Sequence, residues 1–235
     1  MNNKTSKKRK ELIIVSHPDD EVLGCGGYLS KFKNKKIFKI IFIGEGTSCR
    51  FSKNDSKNKV KKKIIERQKQ SIQSLKYLGI KDFEYFNLPC GRFDQIDILD
   101  INKIIEREIS IFKPETIFTH SFDDCNNDHK IVNRSVMMAT RPSYKNKFLK
   151  KIITIEILSS TEWQFESQFS PNYFEKLSIK NVKDKIKAFY FYKSEIQNKQ
   201  MPRTSDGIRT LAKLRGKIIS SDYAESFKIV RTVND

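Results

Sequence analysis

The stretch ELIIVSHPDDE, residues 11–21, joins an apolar run to a dense group of polar side chains. Its first half is short and rich in β-branched residues, which predicts a buried strand over residues 11–16. Pro18 fixes the backbone where that strand stops. An imidazole and three carboxylates lie within the five residues from His17 to Glu21. The stretch therefore predicts a buried strand with chemically active side chains at its carboxyl end.

Similar apolar runs alternate with helical patterns along the chain. Further strands are predicted over residues 36–44, 82–88, 116–120 and 152–158. Helices are predicted over residues 60–78, 96–112, 128–140 and 182–193, with a helix start within 24–33 and helical character in 203–216. Nearly continuous apolar strands that alternate with helices are typical of a parallel sheet covered on both sides. The predicted fold class is α/β, a Rossmann-like, mostly parallel sheet with helices on both faces.

The length of 235 residues fits a single domain. Residues 1–10 are polar and basic and are predicted to form a flexible lead-in. Residues 11–235 are assigned to the domain itself. The alternating pattern weakens after about residue 160, so the last part of the chain is predicted to be a C-terminal extension of that domain.

Composition excludes several classes of protein. No apolar run approaches the roughly 18 residues of a membrane span, and the N-terminus lacks the apolar core of a secretory signal. The four cysteines (Cys25, Cys49, Cys90 and Cys125) are scattered, with no CxxC pair. This spacing argues against a disulfide scaffold or a zinc ribbon and predicts a cytoplasmic location.

The formal net charge of +18 raises the question of a nucleic-acid or membrane-surface partner. Most of the 46 basic residues are lysines spread over many segments, which is typical of a solvated surface. Nucleic acid is therefore not the expected partner. Part of the charge would suit the steering of an anionic substrate. The sequence leaves the oligomeric state open, a homo-oligomer included.

All three histidines of the chain stand beside carboxylates at predicted strand ends. His17 follows the first strand, His120 ends the fourth, and His129 opens the next helix. Ligands of open parallel sheets bind at the carboxyl ends of the strands, so these imidazoles are expected at one edge. Clustered carboxylates are costly to bury unless a cation is present. A His-Asp-His set with an open position is the usual form of catalytic zinc. Residues 123–128 alone would equally suit an Asp-rich helix cap, so the inference depends on both stretches.

The run His17-Pro18-Asp19-Asp20-Glu21, followed by Gly24, Gly26 and Gly27, resembles the signature of the PIG-L/LmbE family. These are metal-dependent de-N-acetylases of substrates that contain N-acetylglucosamine. Asp128-His129 resembles the end of the family's His-x-Asp-His element. Weaker matches are residues 44–50, residues 87–89 with Arg92, and residues 139–142, 159–163 and 223–227. The resemblance covers most of the chain, and residues 223–227 are expected to fold over the site.

The resemblance implies that His17, Asp20 and His129 hold the metal and that Asp19 is the general base. The expected metal is zinc, with Fe²⁺ or another divalent cation as the alternative. A bound metal would lower the pKa of water toward about 7. Asp19 would take a proton from that water and return one to the leaving amine.

One position departs from the family pattern, because Asn126 stands where the family commonly has a histidine that stabilises the oxyanion. An Asn amide can donate a hydrogen bond but supplies no positive charge. Two candidates for this catalytic role therefore remain, Asn126 and His120.

Arg50 and Arg92 lie on loops at the expected catalytic edge and are candidates for contacting sugar hydroxyls or a phosphate. Trp163, the only tryptophan, is a candidate for stacking on a sugar ring. An ordinary surface or core position is the alternative for each. The expected function is removal of an acetyl group from an N-acetylated amino sugar of the GlcNAc type, carried on a nucleotide, lipid or glycan precursor. The alternatives are metal-dependent hydrolysis of an ester or phosphoester, or a basic glycan- or nucleic-acid-binding protein with a vestigial site.

Overall fold

The computed structural model describes residues 8–143 and 146–234, and within these ranges seven strands form one sheet. The strands are β1 (Lys10–Val15), β2 (Ile37–Gly44), β3 (Asp82–Leu88), β4 (Thr116–His120), β5 (Lys151–Ile155), β6 (Tyr173–Leu177) and β7 (Tyr223–Thr232). Their spatial order is β3-β2-β1-β4-β5-β7-β6. The first five in this order pair in parallel, whereas β7 is antiparallel to both of its neighbours. The predicted, mostly parallel α/β sheet is confirmed.

Helices cover both faces of this sheet. Those within the described residues are α1 (Asp20–Phe32), α2 (Lys57–Leu78), α3 (Ile98–Phe112), α4 (Asn127–Ala139), α5 (Ile179–Phe189) and α6 (Ser205–Ile218). Ile13 and Val15 of β1 point into the core under α1, α2, α5 and α6. Leu12 and Ile14 point into the core under α3 and α4. Among the described helices, none combines the length and the apolar character that crossing a membrane requires.

Helix α1 begins earlier than the predicted start within residues 24–33. The carbonyl of Asp19 accepts hydrogen bonds from the backbone N–H groups of Val22 and Leu23, at 3.1 and 3.0 Å. This closes the first helical turn at Asp20. The carboxylate run that follows His17 is therefore not a loop but the first turn of a helix.

The chain after residue 160 is built into the domain rather than appended to it. Strand β7 inserts between β5 and β6 and completes the sheet. Residues 223–227, which were expected to fold over the site, form the start of β7. The first seven residues of the lead-in predicted for 1–10 lie outside the described ranges, and Lys10 already belongs to β1.

Two buried residues from the C-terminal part of the chain brace helix α1. The helix is interrupted at Cys25, whose φ and ψ of −146° and 21° are not helical. The carboxylate of Glu225 accepts hydrogen bonds from the N–H groups of Gly27 and Tyr28, at 2.8 and 2.5 Å. Lys185 Nζ lies 2.8 Å from Glu225 Oε1. Lys185 and Glu225, called here the helix brace, thus satisfy backbone groups that the interruption leaves unpaired.

The brace also spans the interruption. Lys185 Nζ donates a hydrogen bond to the carbonyl oxygen of Leu23, 2.7 Å away, on the first half of α1. A Cβ atom at Gly27 would lie 2.4 Å from Leu177 Cδ1 on strand β6. A larger residue at position 27 would displace the Leu177 side chain and press against the Glu225 carboxylate, so the glycine suits the close packing of α1 on this edge of the sheet.

Candidate metal centre and active site

The site lies where the strand order changes direction, between β1 and β4, which is where ligands of open α/β sheets bind. The two strands pair directly, with Ile14 opposite Thr119. The chain beyond β1 carries His17, and the chain beyond β4 carries His129 at the start of α4. The sheet therefore brings together two motifs more than a hundred residues apart in sequence.

Three side chains present metal-binding atoms to one point. Ligand atoms of His17, Asp20 and His129 all lie within 4.8 Å of one another, and all three residues are buried. Asp20 Oδ2 is 3.6 Å from His17 Nδ1 and 3.4 Å from His129 Nε2. Two imidazole nitrogens and one carboxylate oxygen are a ligand set typical of catalytic zinc.

The pairing of the two ring nitrogens of His129 indicates whether a cation fits between His17, Asp20 and His129. Its ring is 0% exposed, and among the described residues Nε2 has no hydrogen-bond partner. Its other nitrogen, Nδ1, lies 3.1 Å from Asp124 Oδ2, so the ring orientation is fixed from behind. A buried nitrogen without a partner costs free energy that a bound cation would recover. The residues therefore fit a metal ion.

The charges around His129 favour the same conclusion. Burial opposes a charged imidazole, yet the carboxylates of Asp20 and Asp124 raise the pKa of His129 to about 10. Burial also opposes a charged carboxylate at Asp20, but His129 and His120 hold the pKa of Asp20 well below its ordinary value. The electric field at this point therefore stabilises positive charge.

His17 is held in a similar way from the other side. Its Nε2 lies 2.9 Å from Asp128 Oδ2. The carboxylate of Asp128 also accepts hydrogen bonds from the N–H groups of Gly91 and Phe93, at 2.6 and 3.2 Å. Burial opposes ionisation of Asp128, but the contact with His17 keeps its pKa below the ordinary value. The Asp128 carboxylate leaves Nδ1 of His17 as the nitrogen that faces Asp20.

Asp19 occupies a strained backbone position beside the candidate metal ligands. Its φ of 131° lies in a region that non-glycine residues rarely adopt. Its N–H group donates to Glu21 Oε2 at 2.9 Å, and its carboxylate lies 3.2 Å from Arg203 Nη1. The side chain is buried, and this burial raises the pKa of Asp19 to about 6, although Arg203 and Arg67 oppose the shift.

Glu21 supports this backbone rather than joining the candidate metal ligands. Its Oε1 accepts a hydrogen bond of 2.5 Å from the Tyr192 hydroxyl group, while Oε2 holds the N–H of Asp19. Burial raises the pKa of Glu21 to about 8. The third carboxylate of the motif therefore fixes the strained turn.

A cluster of charged residues next to Asp19 was not found from the sequence. Glu195 lies 2.6 Å from Arg50 and 3.2 Å from Arg203, and it also pairs with Arg67. Arg67 and Arg203 both approach Asp19 Oδ2, at 3.5 and 3.2 Å. Arg67 lies on the lysine-rich helix α2, where no local pattern distinguishes it from solvated lysines. Nothing in the sequence near Glu195 marks it as the partner of these arginines.

The two candidates for stabilising an oxyanion have different surroundings. Asn126 caps helix α4, because its Oδ1 accepts a hydrogen bond from the N–H of Asp128 at 2.9 Å. His120 is fully buried and stacks on His129, with ring centroids 3.8 Å apart. His120 Nε2 accepts a hydrogen bond of 2.8 Å from the N–H of Ser16. Burial lowers the pKa of His120 to about 3, which leaves the ring neutral.

The candidate substrate contacts are spread around this edge. Arg50 is engaged in the pair of hydrogen bonds to Glu195, at 2.7 and 2.6 Å. Arg92 is exposed and lines a cavity of about 310 Å³ together with Lys53, Lys57, Lys61 and one carboxylate, that of Asp55. Trp163 is 38% exposed, so it is not a core residue. None of these three is brought into contact with the metal ligands by a described hydrogen bond.

The sequence matches a family model and two curated proteins. The model of the family described as GlcNAc-PI de-N-acetylase (PIG-L) matches residues 12–140, which include every residue assigned above to metal binding. The chain is similar to the uncharacterized deacetylase YaiS of Escherichia coli, with 27% identity over 199 residues, 81% of this chain and 94% of that protein. It is also similar to the diacetylchitobiose deacetylase of Thermococcus kodakarensis, with 24% identity over 94% of this chain and 83% of that protein.

A solved structure shares the fold. The N,N'-diacetylchitobiose deacetylase from Pyrococcus horikoshii superposes with a TM-score of 0.74 and 18% identity, over 97% of this chain and 86% of that chain. At this identity the likeness shows the fold alone.

Proposed function

The chain belongs to the PIG-L family of de-N-acetylases, and from this premise we propose that it is a zinc-dependent hydrolase that deacetylates an N-acetylated amino sugar. The observation that carries the proposal is the convergence of His17, Asp20 and His129 on one point, beside the buried carboxylate of Asp19. The family membership accounts for an amide-cleaving hydrolase. Zinc, the roles of individual residues and the sugar are the parts that need testing.

His17, Asp20 and His129 would hold the cation. When bound, a divalent cation supplies a Lewis acid that polarises the amide carbonyl and makes water a stronger nucleophile at neutral pH. Asp124 and Asp128 orient the two imidazoles so that the nitrogens facing Asp20 are free to bind it. Fe²⁺ or another divalent cation would suit the same atoms, and availability would decide among them.

Asp19 is assigned as the general base and acid. It takes a proton from the attacking water and returns one to the nitrogen of the leaving amine, so that the products are acetate and a free amino group. Its pKa of about 6, raised by burial, lets it exchange protons near neutral pH. Arg203, 3.2 Å away, holds the carboxylate in position.

Asn126 is the better candidate for stabilising the oxyanion. Its carbonyl oxygen is used in the cap of α4, so its NH₂ group is the part left to donate a hydrogen bond. His120 has Nε2 committed to Ser16, and its ring lies against the back of His129. We therefore assign His120 to the support of His129 and Ser16 rather than to contact with substrate.

The substrate is proposed to be of the GlcNAc type with an anionic carrier. The similarity to a diacetylchitobiose deacetylase supports an N-acetylated sugar. The cavity lined by Arg92, Lys53, Lys57 and Lys61 supports a negatively charged group next to it. Arg50 and Trp163 remain candidate contacts for the sugar itself. The cytoplasmic location, predicted from the scattered cysteines, stays a prediction.

The test is a screen of the purified protein on N-acetylglucosamine, its 1-phosphate, diacetylchitobiose and UDP-N-acetylglucosamine, with free amine, acetate and inorganic phosphate measured in parallel. We expect amine and acetate in equal amounts, loss of turnover with a chelator, and recovery on addition of Zn²⁺. The Asp19→Asn protein, purified in the same way, controls for contaminating hydrolases.

Three outcomes would contradict the proposal. Release of phosphate without acetate would indicate a phosphoesterase. Turnover that survives complete removal of metal would exclude the metal-dependent mechanism. Salt-dependent DNA binding with no hydrolysis of any substrate would favour a binding protein with a vestigial site.

A further inference from the structure

Two cysteines that the proposed reaction does not use lie side by side at the catalytic edge. Cys49 belongs to the short turn Ser48–Arg50 after β2, and Cys90 follows β3. Their Sγ atoms are 3.2 Å apart, although 40 residues separate them in sequence. The parallel pairing of β2 and β3 brings the two loops together.

A buried carboxylate holds the two loops in this arrangement. Glu45 accepts hydrogen bonds from the N–H groups of Thr47 and Ser48, at 2.6 and 3.0 Å, just before Cys49. The same carboxylate accepts a hydrogen bond of 2.9 Å from the N–H of Cys90. The closeness of the thiols therefore results from backbone anchoring and not from the chance orientation of two exposed side chains.

The two thiols differ in access to solvent. Cys49 is exposed, whereas Cys90 is only 7% exposed. Cys90 donates a hydrogen bond to Cys49, and this bond, together with the positive charge of Arg50, lowers the pKa of Cys49 to about 6. An exposed thiolate next to a buried thiol is the arrangement of an attacking and a resolving cysteine.

We propose that Cys49 and Cys90 form an oxidation site that closes to an intramolecular disulfide when it meets a small disulfide such as oxidised glutathione. The Cys49 thiolate attacks one glutathione sulfur, the glutathione disulfide breaks, and one glutathione leaves as a thiol. Cys90 then loses its proton and attacks Cys49 Sγ in the mixed disulfide, which releases the second glutathione. Two protein thiols are oxidised, and one glutathione disulfide is reduced to two glutathione molecules.

The disulfide would connect two loops that support the site. Gly91, the neighbour of Cys90, donates a hydrogen bond to the carboxylate of Asp128. This carboxylate in turn holds the ring of His17. Arg50, the neighbour of Cys49, pairs with Glu195. Because the bond would close a loop of about forty residues, we expect the oxidised protein to melt about 5–10 °C higher than the reduced protein.

The experiment treats the metal-loaded full-length protein with oxidised glutathione, blocks the remaining thiols and digests it without reduction for mass spectrometry. We expect a linked peptide pair containing Cys49 and Cys90, lighter by two hydrogen atoms and cleaved by dithiothreitol. Cys125, exposed and single, is the matched control and should carry a mixed disulfide with glutathione instead.

Variants assign the two roles. Cys90→Ser should trap glutathione on Cys49, whereas Cys125→Ser should leave the linked pair unchanged. The wild-type digest needs no variant and keeps the proposal testable if Cys90→Ser fails to fold. Glutathione retained on wild-type Cys49, or both thiols left unmodified, would overturn the proposal. So would protection of both thiols by a second equivalent of zinc, which would identify the pair as a metal site. These readouts are covalent and do not depend on the deacetylase activity.

Discussion

Two groups of buried charges in this molecule differ in how completely their polar atoms are paired. In the helix brace, Lys185 and Glu225 contact each other and the backbone of α1, and the Lys185 ammonium and both Glu225 oxygens have partners. At the metal centre, His129 is equally buried, but its Nε2 has no partner among the described residues. Buried charge alone therefore does not identify a functional site. The distinguishing feature is that this unpaired, buried ligand atom lies close to the ligand atoms of two other residues, His17 and Asp20.

The same difference predicts opposite consequences of mutation. Changes at the metal centre should remove activity and leave the fold intact, because its ligand atoms are placed to bind a cation and not to pair with one another. Changes in the helix brace should weaken the fold and leave turnover by the folded molecules intact.

Asp19→Asn should reduce kcat by about 10²–10⁴-fold, because the amide cannot take a proton from water or return one to the amine. The variant should bind metal as the wild type does, since Asp19 is not among the converging ligands. The measurements are turnover of the best substrate from the screen and bound metal by mass spectrometry. Wild-type turnover in Asp19→Asn would exclude Asp19 as the base.

Glu225→Ala should lower the free energy of unfolding by about 3–5 kcal/mol, because Lys185 then keeps a buried charge without its partner. The kcat of the folded fraction should not change. Urea denaturation and turnover below the transition give the two quantities. The double variant Lys185→Met with Glu225→Leu is the control, and it should recover much of the loss by removing both charges. A Glu225→Ala protein with full stability and reduced kcat would show that the helix brace serves activity and not the fold, contrary to this contrast.

Asn126→Ser should lower kcat by about 10²-fold if the Asn126 amide stabilises the oxyanion. Serine caps helices about as well as asparagine, so the melting temperature should stay the same. This choice separates the NH₂ group from the cap that Asn126 also provides. An unchanged kcat would show that a group other than the Asn126 amide stabilises the oxyanion.

The acid limb of the pH profile should show the smallest effect. As a base Asp19 must be ionised, and burial raises its pKa to about 6, so kcat/KM should rise with pH through about 6 and level off above it. Arg203→Gln removes the strongest charge that opposes this shift, so the midpoint should move to higher pH. A midpoint that stays in place or moves to lower pH would show that the acid limb does not report the ionisation of Asp19.

The sequence predicts the parallel strands, the edge strand β3 included, better than the antiparallel strands β6 and β7. Strands β1, β2 and β4 are buried on both faces, so their residues are apolar almost throughout and the runs are easy to find. Strand β6 reads YFEKL and is only partly buried, so its pattern is weak. Strand β7 depends on antiparallel pairing with segments 46 or more residues away, which no local pattern records.

The site shows a similar division. His17, Asp20 and His129 could be proposed from residue types at strand ends, and the family resemblance assigned them to the metal. Glu195 and Arg203 could not be proposed, because their importance comes from burial beside Asp19 and not from spacing. The position of His120 behind His129 likewise depends on side-chain packing, which explains why the sequence left it equal to Asn126 as a candidate.

The helix brace has a consequence for biosynthesis. Gly27 and Tyr28 are synthesised almost 200 residues before Glu225, whose carboxylate accepts their N–H hydrogen bonds. The helix that begins with Asp20, a proposed metal ligand, thus acquires these backbone partners only after β7 has been synthesised. A nascent chain that stalls before β7 would carry all three proposed metal ligands and still lack the support that completes the helix of Asp20.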